Sequence, residues 1–282
     1  MSKYDGAHES CPVCRDAAIH QYHCDFRGNT IFICSACTIQ FMNPVYSDEY
    51  LSEYYAGYYG GGESDLNVVE GQACTNYMKF EFIDKFVRMP GRALDFGCGN
   101  ANFAVYAKDK GWDVVGYDVD CEAMQQVSDR YGMPIKCGSL PDVDWQGEQF
   151  DLIHAHHVVE HLKDPARDLS IMHELLSDDG YIYIGVPNIH SWSARLKLFL
   201  EKAGFKKGRV GKYYDSDHHV FYYTPKSMKN LLDICGFEVV LSMNGAKSHM
   251  SESKLIQFFT YYLPNFFYSS SSFFVMARKK RQ

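Results

Sequence analysis

The sequence predicts an α/β fold preceded by a small metal-stabilised ribbon, and three features support this prediction. The apolar run Arg92–Phe96 is followed by a glycine-containing turn and then, over 100–110, by apolar residues at helical spacing, which is the strand–turn–helix order of an α/β unit. A second, alternating run at Asp113–Asp118 predicts the next strand. Two Cys-x-x-Cys pairs near the N-terminus predict a bound metal.

The length and charge of the chain limit the classes of protein to consider. Its 282 residues are enough for one large domain and a small appendage. A net charge of −7 argues against a broad basic surface for nucleic acid, although residues 278–281 are locally basic. There is no signal-peptide pattern, and no apolar run reaches the roughly 18–20 residues needed to span a bilayer. We therefore expect a cytoplasmic protein with no transmembrane segment and no nucleic-acid partner.

The N-terminal cysteines have the spacing of a structural zinc site. Two Cys-x-x-Cys knuckles are separated by 19 residues, and short strands predicted at 20–24 and 30–33 would join them into a ribbon. Four thiolate ligands leave no open position on the ion, so the zinc is expected to be structural, and the ten cysteines do not predict a disulfide framework. The predicted ligands are Cys11, Cys14, Cys34 and Cys37, with Cys24, His20 and His23 as alternatives of poorer spacing.

The chain is predicted to have three parts. Residues 1–43 form the zinc ribbon, 44–75 a tyrosine-rich linker, and 76–282 the α/β domain, with an insertion at about 188–220 that is expected to cover a ligand site. The tyrosine-rich linker is either a lid over a ligand or packing between domains. Within the insertion, the basic loop at 206–212 is either a phosphate site or a solvated loop. The aromatic segment at 255–267 is expected to pack against the sheet or the lid, or to contact a lipid-linked ligand.

The glycine turn itself indicates the kind of ligand. It lacks the third glycine of a dinucleotide fingerprint, and Asp95 adds an acid that would repel a pyrophosphate and attract an ammonium group. Asp118 follows 23 residues later, about the spacing at which α/β nucleotide sites place a carboxylate on ribose hydroxyls. The span 92–240 resembles the class I S-adenosylmethionine-dependent methyltransferases. That resemblance implies a Rossmann-like, seven-stranded sheet with helices on both faces.

The resemblance also implies how S-adenosylmethionine would lie. Asp95 and the turn backbone would face the methionine part, Asp118 the ribose, residues 138–140 the adenine and residues 154–156 the sulfonium. A Rossmann-like domain that binds NAD, or binds nothing, is the alternative, and the lost third glycine argues against it. The predicted cofactor-binding residues are Asp95, Phe96, Gly97, Gly99, Asp118, Val119, Ser139, Leu140 and His156.

A histidine motif after the fourth predicted strand indicates the catalytic groups. His157, Glu160 and His161 have the spacing H-x-x-E-H, and on a helical turn they share one face, so they form a candidate site for a divalent metal. The motif resembles the E-x-x-E-H of class I O-methyltransferases of small RNAs and of quinone biosynthesis, with His157 in place of the first acid, which disfavours magnesium. Downstream, His218 or His219 would complete the metal site or act as a general base. We predict His157, His161 and His219 as catalytic.

The order of the parts indicates the acceptor. A cysteine ribbon ahead of a class I domain resembles methyltransferases of sugar and polysaccharide biosynthesis, including sugar C-methyltransferases, and certain ribosomal RNA guanine methyltransferases. The sequence Asn43-Pro44 and the tyrosine-rich segment that follows resemble the sugar group more closely. We therefore expect methyl transfer to a hydroxyl of a sugar nucleotide or polysaccharide precursor, a small-molecule or glycan acceptor. The alternatives are an RNA methyltransferase that uses the ribbon as a clamp, a sugar C-methyltransferase, and a non-catalytic S-adenosylmethionine-binding module.

Overall fold

The computed structural model describes residues 2–25, 27–59, 80, 83–87, 90–205, 213–214, 218–244 and 270–281. Three predicted features lie outside these residues: the basic loop at 206–212, the aromatic segment at 255–267, and the part of the tyrosine-rich linker beyond 59. The organisation below concerns the described part of the chain.

The N-terminal part contains three antiparallel strands, β1 (Ile19–Cys24), β2 (Thr30–Cys34) and β3 (Gln40–Met42), paired in that order. The strands predicted at 20–24 and 30–33 are therefore present. Helix α1 (Asp48–Tyr59) follows, and two acids, Asp48 and Glu49, stand in its first turn. Negative charges are favourable there because the helix dipole leaves partial positive charge at that end.

Eight more strands follow among the described residues, and seven of them build a large sheet. They are β4 (Arg92–Phe96), β5 (Asp113–Asp118), β6 (Ile135–Cys137), β7 (Phe150–His156), β8 (Leu176–Pro187), β9 (Phe221–Tyr222), β10 (Phe237–Asn244) and β11 (Ser272–Lys279). All but β9 lie in one seven-stranded sheet, in the order β10-β11-β8-β7-β4-β5-β6. Strands β4 to β8 pair in parallel, and β11 is inserted antiparallel between β8 and β10.

Helices cover both faces of this sheet. The helices are α2 (Asn102–Asp109), α3 (Cys121–Tyr131), α4 (Pro165–Leu175), α5 (Trp192–Lys202) and α6 (Pro225–Ile234). Successive residues of β4 point to opposite faces, as the pleat requires. Ala93 packs in one core with Phe103 of α2, and Leu94 packs in the other with Leu169 of α4 and Met228 of α6. Asp164 caps α4, with Pro165 at its first position.

The ribbon and the α/β part share a sheet. Strand β9 follows directly after the predicted insertion and pairs antiparallel with β3, so that the ribbon sheet has the order β1-β2-β3-β9. Further contacts support this junction, including a hydrogen bond of 2.6 Å from the Tyr214 hydroxyl to Gln40 and one of 2.9 Å from the Asn230 amide to the Cys37 carbonyl. The ribbon core is continuous with the core on one face of the large sheet.

The structure contains a disulfide that the cysteine spacing did not predict. It joins Cys121, at the start of α3, to Cys137, at the end of β6. The two residues are 16 positions apart and meet because β5 and β6 are neighbours whose carboxyl ends lie at the same sheet edge. Within the described part of the chain, no helix combines the length and apolar character needed to cross a bilayer.

Candidate functional site

A cleft of about 930 Å³ opens at the carboxyl ends of β4 and β5. We call it the cofactor cleft, after the residues predicted to bind the cofactor. In open α/β sheets, ligands bind at this edge. Most of the predicted cofactor residues line it, and Asp95, Gly99 and His156 do not. The predicted residues in the wall are Phe96, Gly97, Asp118, Val119, Ser139 and Leu140.

The turn after β4 requires glycine at position 97. Gly97 has φ +69°, in the left-handed region, and a Cβ built on it would overlap the side chain of Val158. The amides of Gly97 and Cys98 both donate to the carbonyl of Tyr117, at 2.8 and 3.0 Å, which ties the turn to β5. The turn therefore brings its backbone close to the cleft without a side chain in the way.

Asp118 ends β5 and presents its carboxylate at the cleft wall. One oxygen accepts a hydrogen bond of 3.0 Å from the Gly99 amide, and the other accepts one of 2.8 Å from the Val119 amide. Burial raises the pKa of Asp118, and the amides of Gly99, Val119 and Asp120 lower it in part. The side chain is thus held in one orientation next to the cleft, as a ribose-binding carboxylate requires.

Asp95 lies behind the turn. Its carboxylate is 3% exposed; one oxygen is 2.8 Å from Nδ1 of His154, and the other accepts a hydrogen bond of 3.1 Å from the Ala104 amide. The His154 ring stacks on Phe103 at 3.6 Å. Asp95 therefore joins β4 to β7 and to α2, and a direct contact between its carboxylate and the methionine part stays a prediction. His156 ends β7, half-buried, with its ring 4.4 Å from that of His157.

The histidine motif is arranged differently from the prediction. His157, Glu160 and His161 were expected on one helical face; instead His157 has φ +57° and precedes a single 3₁₀ turn that ends at His161. His157 Nδ1 still lies 3.0 Å from Glu160 Oε1. The ligand atoms that converge to within 4.8 Å of one another belong to His161, His218 and His219. The downstream histidines thus replace His157 in the cluster.

Comparisons with known proteins identify the family. The chain matches the family model described as "Methyltransferase domain" over residues 71–242. The chain belongs to this methyltransferase family. It is a methyltransferase with the fold of the class I S-adenosylmethionine-dependent enzymes. No curated protein matches it in sequence.

Solved structures of other methyltransferases have the same fold as this chain. One is the 1,6-didemethyltoxoflavin-N1-methyltransferase of Burkholderia thailandensis, solved with bound 1,6-didemethyltoxoflavin and S-adenosylhomocysteine. It is 16% identical in sequence, with a TM-score of 0.54, and the comparison covers 93% of this chain and 100% of that one. Another is an S-adenosylmethionine-dependent methyltransferase of Clostridium acetobutylicum, 10% identical with a TM-score of 0.53, covering 82% and 100%. At these identities the likeness concerns the fold.

The electrostatics of the methyltransferase's histidine cluster keep Glu160 charged and His161 neutral. Burial raises the pKa of Glu160, but the His157 hydrogen bond and, in the acidic range where a carboxylate titrates, the protonated forms of His161, His157 and His219 outweigh it, so the pKa is lowered. Burial lowers the pKa of His161 to about 4, against a smaller opposing effect of Glu160. His161 Nδ1 donates to the His218 carbonyl at 3.2 Å, which leaves its Nε2 as an acceptor.

A second cavity of about 210 Å³ lies beside the cluster. Glu160 and His219 line it, together with polar side chains such as Asn188, Ser191 and Lys197. His161 lines the cofactor cleft instead, and its ring is 4.8 Å from that of His219. The pair of histidines, His161 and His219, therefore stands between the cofactor cleft and this smaller cavity.

The tyrosine-rich segment reaches the same cluster. The Tyr54 hydroxyl, from α1, is 2.9 Å from Nδ1 of His218, and the two rings stack at 5.1 Å. Leu51 and Ser52 of α1 line the cofactor cleft. Helix α1 thus packs over both the cleft and the cluster, a position that fits either reading of this segment, lid or interface.

The four ribbon cysteines converge as the spacing predicts. Their Sγ atoms lie within 4.8 Å of one another, with 3.6 Å between Cys11 and Cys37 and 3.5 Å between Cys14 and Cys34. A tetrahedral zinc with Zn–S bonds of about 2.3 Å would place the sulfurs about 3.8 Å apart. The four thiols are free of disulfides and so fit such an ion. Cys24, the alternative cysteine, is exposed and outside this group.

Proposed function

We propose that this methyltransferase transfers a methyl group from S-adenosylmethionine to a hydroxyl of a sugar nucleotide or polysaccharide precursor. The observation that supports this proposal best is the histidine pair between the cofactor cleft and the small polar cavity. A sugar hydroxyl is a poor nucleophile until its proton is removed, so a base at this position suits it. The cavity's hydroxyl, amide and ammonium groups suit an acceptor rich in hydroxyls.

Bound S-adenosylmethionine supplies a methyl group already activated by the positive sulfur. In our proposal, the small polar cavity of about 210 Å³ binds the acceptor, and we call it the acceptor cavity. His219 lines this cavity and accepts the proton of the acceptor hydroxyl. Glu160, whose lowered pKa keeps it ionised, stabilises the positive charge that develops on His219. His161 stays neutral and packs against the rings of His218 and His219, which fixes their orientation. Helix α1 excludes water from the cluster.

The four ribbon cysteines are proposed to hold a structural zinc, which supplies no chemistry to methyl transfer. As the alternative to a general base at His219, the histidine cluster would hold a divalent metal, and one observation favours this second candidate: Glu160 Oε2 is buried with no hydrogen-bond partner among the described residues, next to three convergent imidazoles. Imidazole and one carboxylate suit zinc, iron or manganese better than magnesium. Metal analysis separates the two sites, since His218→Ala would remove only the second equivalent of metal and Cys14→Ser only the first.

A radiolabelled methyl-transfer assay tests the proposed function. The acceptors are uridine, guanosine and thymidine diphosphate hexoses, with the labelled methyl position assigned by NMR. We expect O-methylation of at least one acceptor, and His219→Ala should lower kcat by about 10²-fold or more. The matched control is His20→Ala, an exposed histidine of β1. Methylation of RNA alone, or tight binding of S-adenosylhomocysteine without any methyl transfer, would contradict the proposal.

A further inference from the structure

A third cavity, of about 740 Å³, lies where the ribbon meets the α/β part. We call it the junction cavity. Tyr22 and Thr38 of the ribbon form one side, and His190, Trp192, Arg195 and Lys226 form the other. Its volume falls within the range of about 300–1,000 Å³ typical of small-molecule sites, and nothing in the mechanism above uses it.

The charge of the junction cavity is positive. Arg195 and Lys226 line it, and none of the described residues in its wall is an aspartate or glutamate. Neither cation forms an ion pair with a described residue, whereas Arg167, at the cofactor cleft, is paired with Asp168 at 2.8 Å. Burial lowers the pKa of His190, and the charge of Arg195 lowers it further. Two unneutralised cations in a chain of net charge −7 favour an anionic ligand, phosphate above all.

The junction cavity also has exposed aromatic rings. Trp192 is 70% and Tyr22 45% exposed, although rings of this size are usually more buried. Flat rings beside cations bind nucleobases by stacking, and such stacking is worth about 1–3 kcal/mol per base. The Thr38 hydroxyl is buried at the same wall and has no hydrogen-bond partner among the described residues. The combination suits a ligand with a planar ring and phosphates.

The junction cavity lies next to the acceptor cavity. Asn188 lines both, and the segment from Asn188 to Arg195 separates them. The order along this edge of the molecule is therefore cofactor cleft, histidine pair, acceptor cavity and junction cavity. We propose that the junction cavity binds the nucleoside diphosphate of the acceptor, with the base on Trp192 and Tyr22 and the diphosphate on Arg195 and Lys226. This inference rests on the proposed function and specifies the acceptor as nucleotide-linked.

Titration calorimetry with uridine diphosphate and guanosine diphosphate tests the site on the full chain, with S-adenosylhomocysteine as a second ligand. We expect at least one diphosphate to bind, and Arg195→Ala and Lys226→Ala each to weaken it about tenfold or more, while the affinity for S-adenosylhomocysteine is unchanged. The matched control is Lys202→Ala, an exposed lysine of the same helix as Arg195, which should change neither affinity. Because Trp192 is the exposed member of the three tryptophans, its fluorescence should be quenched by the nucleotide and not by inorganic pyrophosphate.

The outcomes separate this site from the proposed function. Diphosphate binding that is lost in Arg195→Ala supports the site even if no sugar is methylated. Sugar methylation whose KM is unchanged in both cation variants overturns the site and leaves the function intact. Pyrophosphate that binds as tightly as the nucleotides overturns the role of the aromatic rings. Salt-dependent binding of an RNA oligonucleotide without nucleotide binding overturns the proposal in favour of an RNA partner.

Discussion

The cofactor cleft and the junction cavity have opposite electrostatic character within one acidic chain. The wall of the cleft contains the carboxylates Asp48, Asp118, Asp120, Glu122, Asp164 and Asp168, and two of its three cations, Lys163 and Arg167, are paired with acids. The described wall of the junction cavity contains unpaired cations and no acid. A sulfonium donor and a phosphorylated acceptor carry opposite charges. Separate sites of opposite sign would sort the two substrates before they meet at the histidine pair.

Removing the proposed zinc site should have the largest effect. Cys14→Ser would leave a tetrahedral ion with three thiolates, so we expect loss of the ribbon zinc and unfolding of the ribbon, with nucleotide binding at the junction cavity abolished. Binding of S-adenosylhomocysteine should fall only several-fold, because Pro12 and Arg15 are at the rim of the cleft while Gly97 and Asp118 are anchored by the large sheet. Zinc content, calorimetry and circular dichroism measure these effects.

The control for that experiment is Cys24→Ser, since Cys24 is exposed and outside the cysteine cluster. It should retain the zinc content of the unaltered chain and both affinities. If Cys14→Ser bound as much zinc as the unaltered chain, the ligand assignment would be wrong.

Gly97→Ala should weaken binding at the cofactor cleft and leave the junction cavity unaffected. The new Cβ would overlap Val158 at a φ of +69°, a strain of about 1–3 kcal/mol. We expect the affinity for S-adenosylhomocysteine to fall by about tenfold or more while nucleotide binding is retained. The matched control is Gly132→Ala, where φ is +57° but no atom lies within 4 Å of the new Cβ. Equal losses of affinity in both variants would mean that backbone strain, not the shape of the turn, decides binding.

Acidification should produce the smallest effect, again at the cleft. Because burial raises the pKa of Asp118, its carboxylate takes up a proton at a higher pH than an ordinary aspartate, whose pKa is about 3.9. As the pH falls from 7, the affinity for S-adenosylhomocysteine should therefore decrease a few-fold before an ordinary aspartate would titrate, because the predicted ribose contact loses its charged acceptor. The folded protein binds this proton before the unfolded chain does, so Asp118 itself favours folding as the pH falls. Asp118→Asn should flatten the affinity profile, and Glu122→Gln, at the same cleft, should leave its slope unchanged.

Local patterns predicted much of the fold and of the cofactor site. Alternating strands, the glycine turn and Asp118 are visible within a few residues of sequence, because pleat and turn each have a short-range cause. The partners across the sheet were not predicted. The Asp95–His154 contact, the Cys121–Cys137 disulfide and the grouping of His161 with His218 and His219 depend on which strand ends meet in space.

The residues around the acceptor cavity were not predicted, for the same reason. No strand was predicted at 220–223, and nothing in the composition of that run indicates that it pairs with β3. Asn188 and Lys197 were missed because isolated polar residues in a long insertion carry no periodic signal. The helical face predicted for His157, Glu160 and His161 was wrong because His157 adopts a left-handed conformation that interrupts the helix.

The pairing of β3 with β9 has a consequence for how the chain is made. Gln40 and the hydroxyl of Tyr214 that contacts it are 174 positions apart, so the ribosome must synthesise most of the polypeptide before the edge of β3 is covered. Until then β3 offers unpaired amide and carbonyl groups, which invite pairing with other nascent chains. Translation that stops short of residue 220 would thus yield fragments prone to self-association, and chaperones that shield strand edges would matter most for this N-terminal segment.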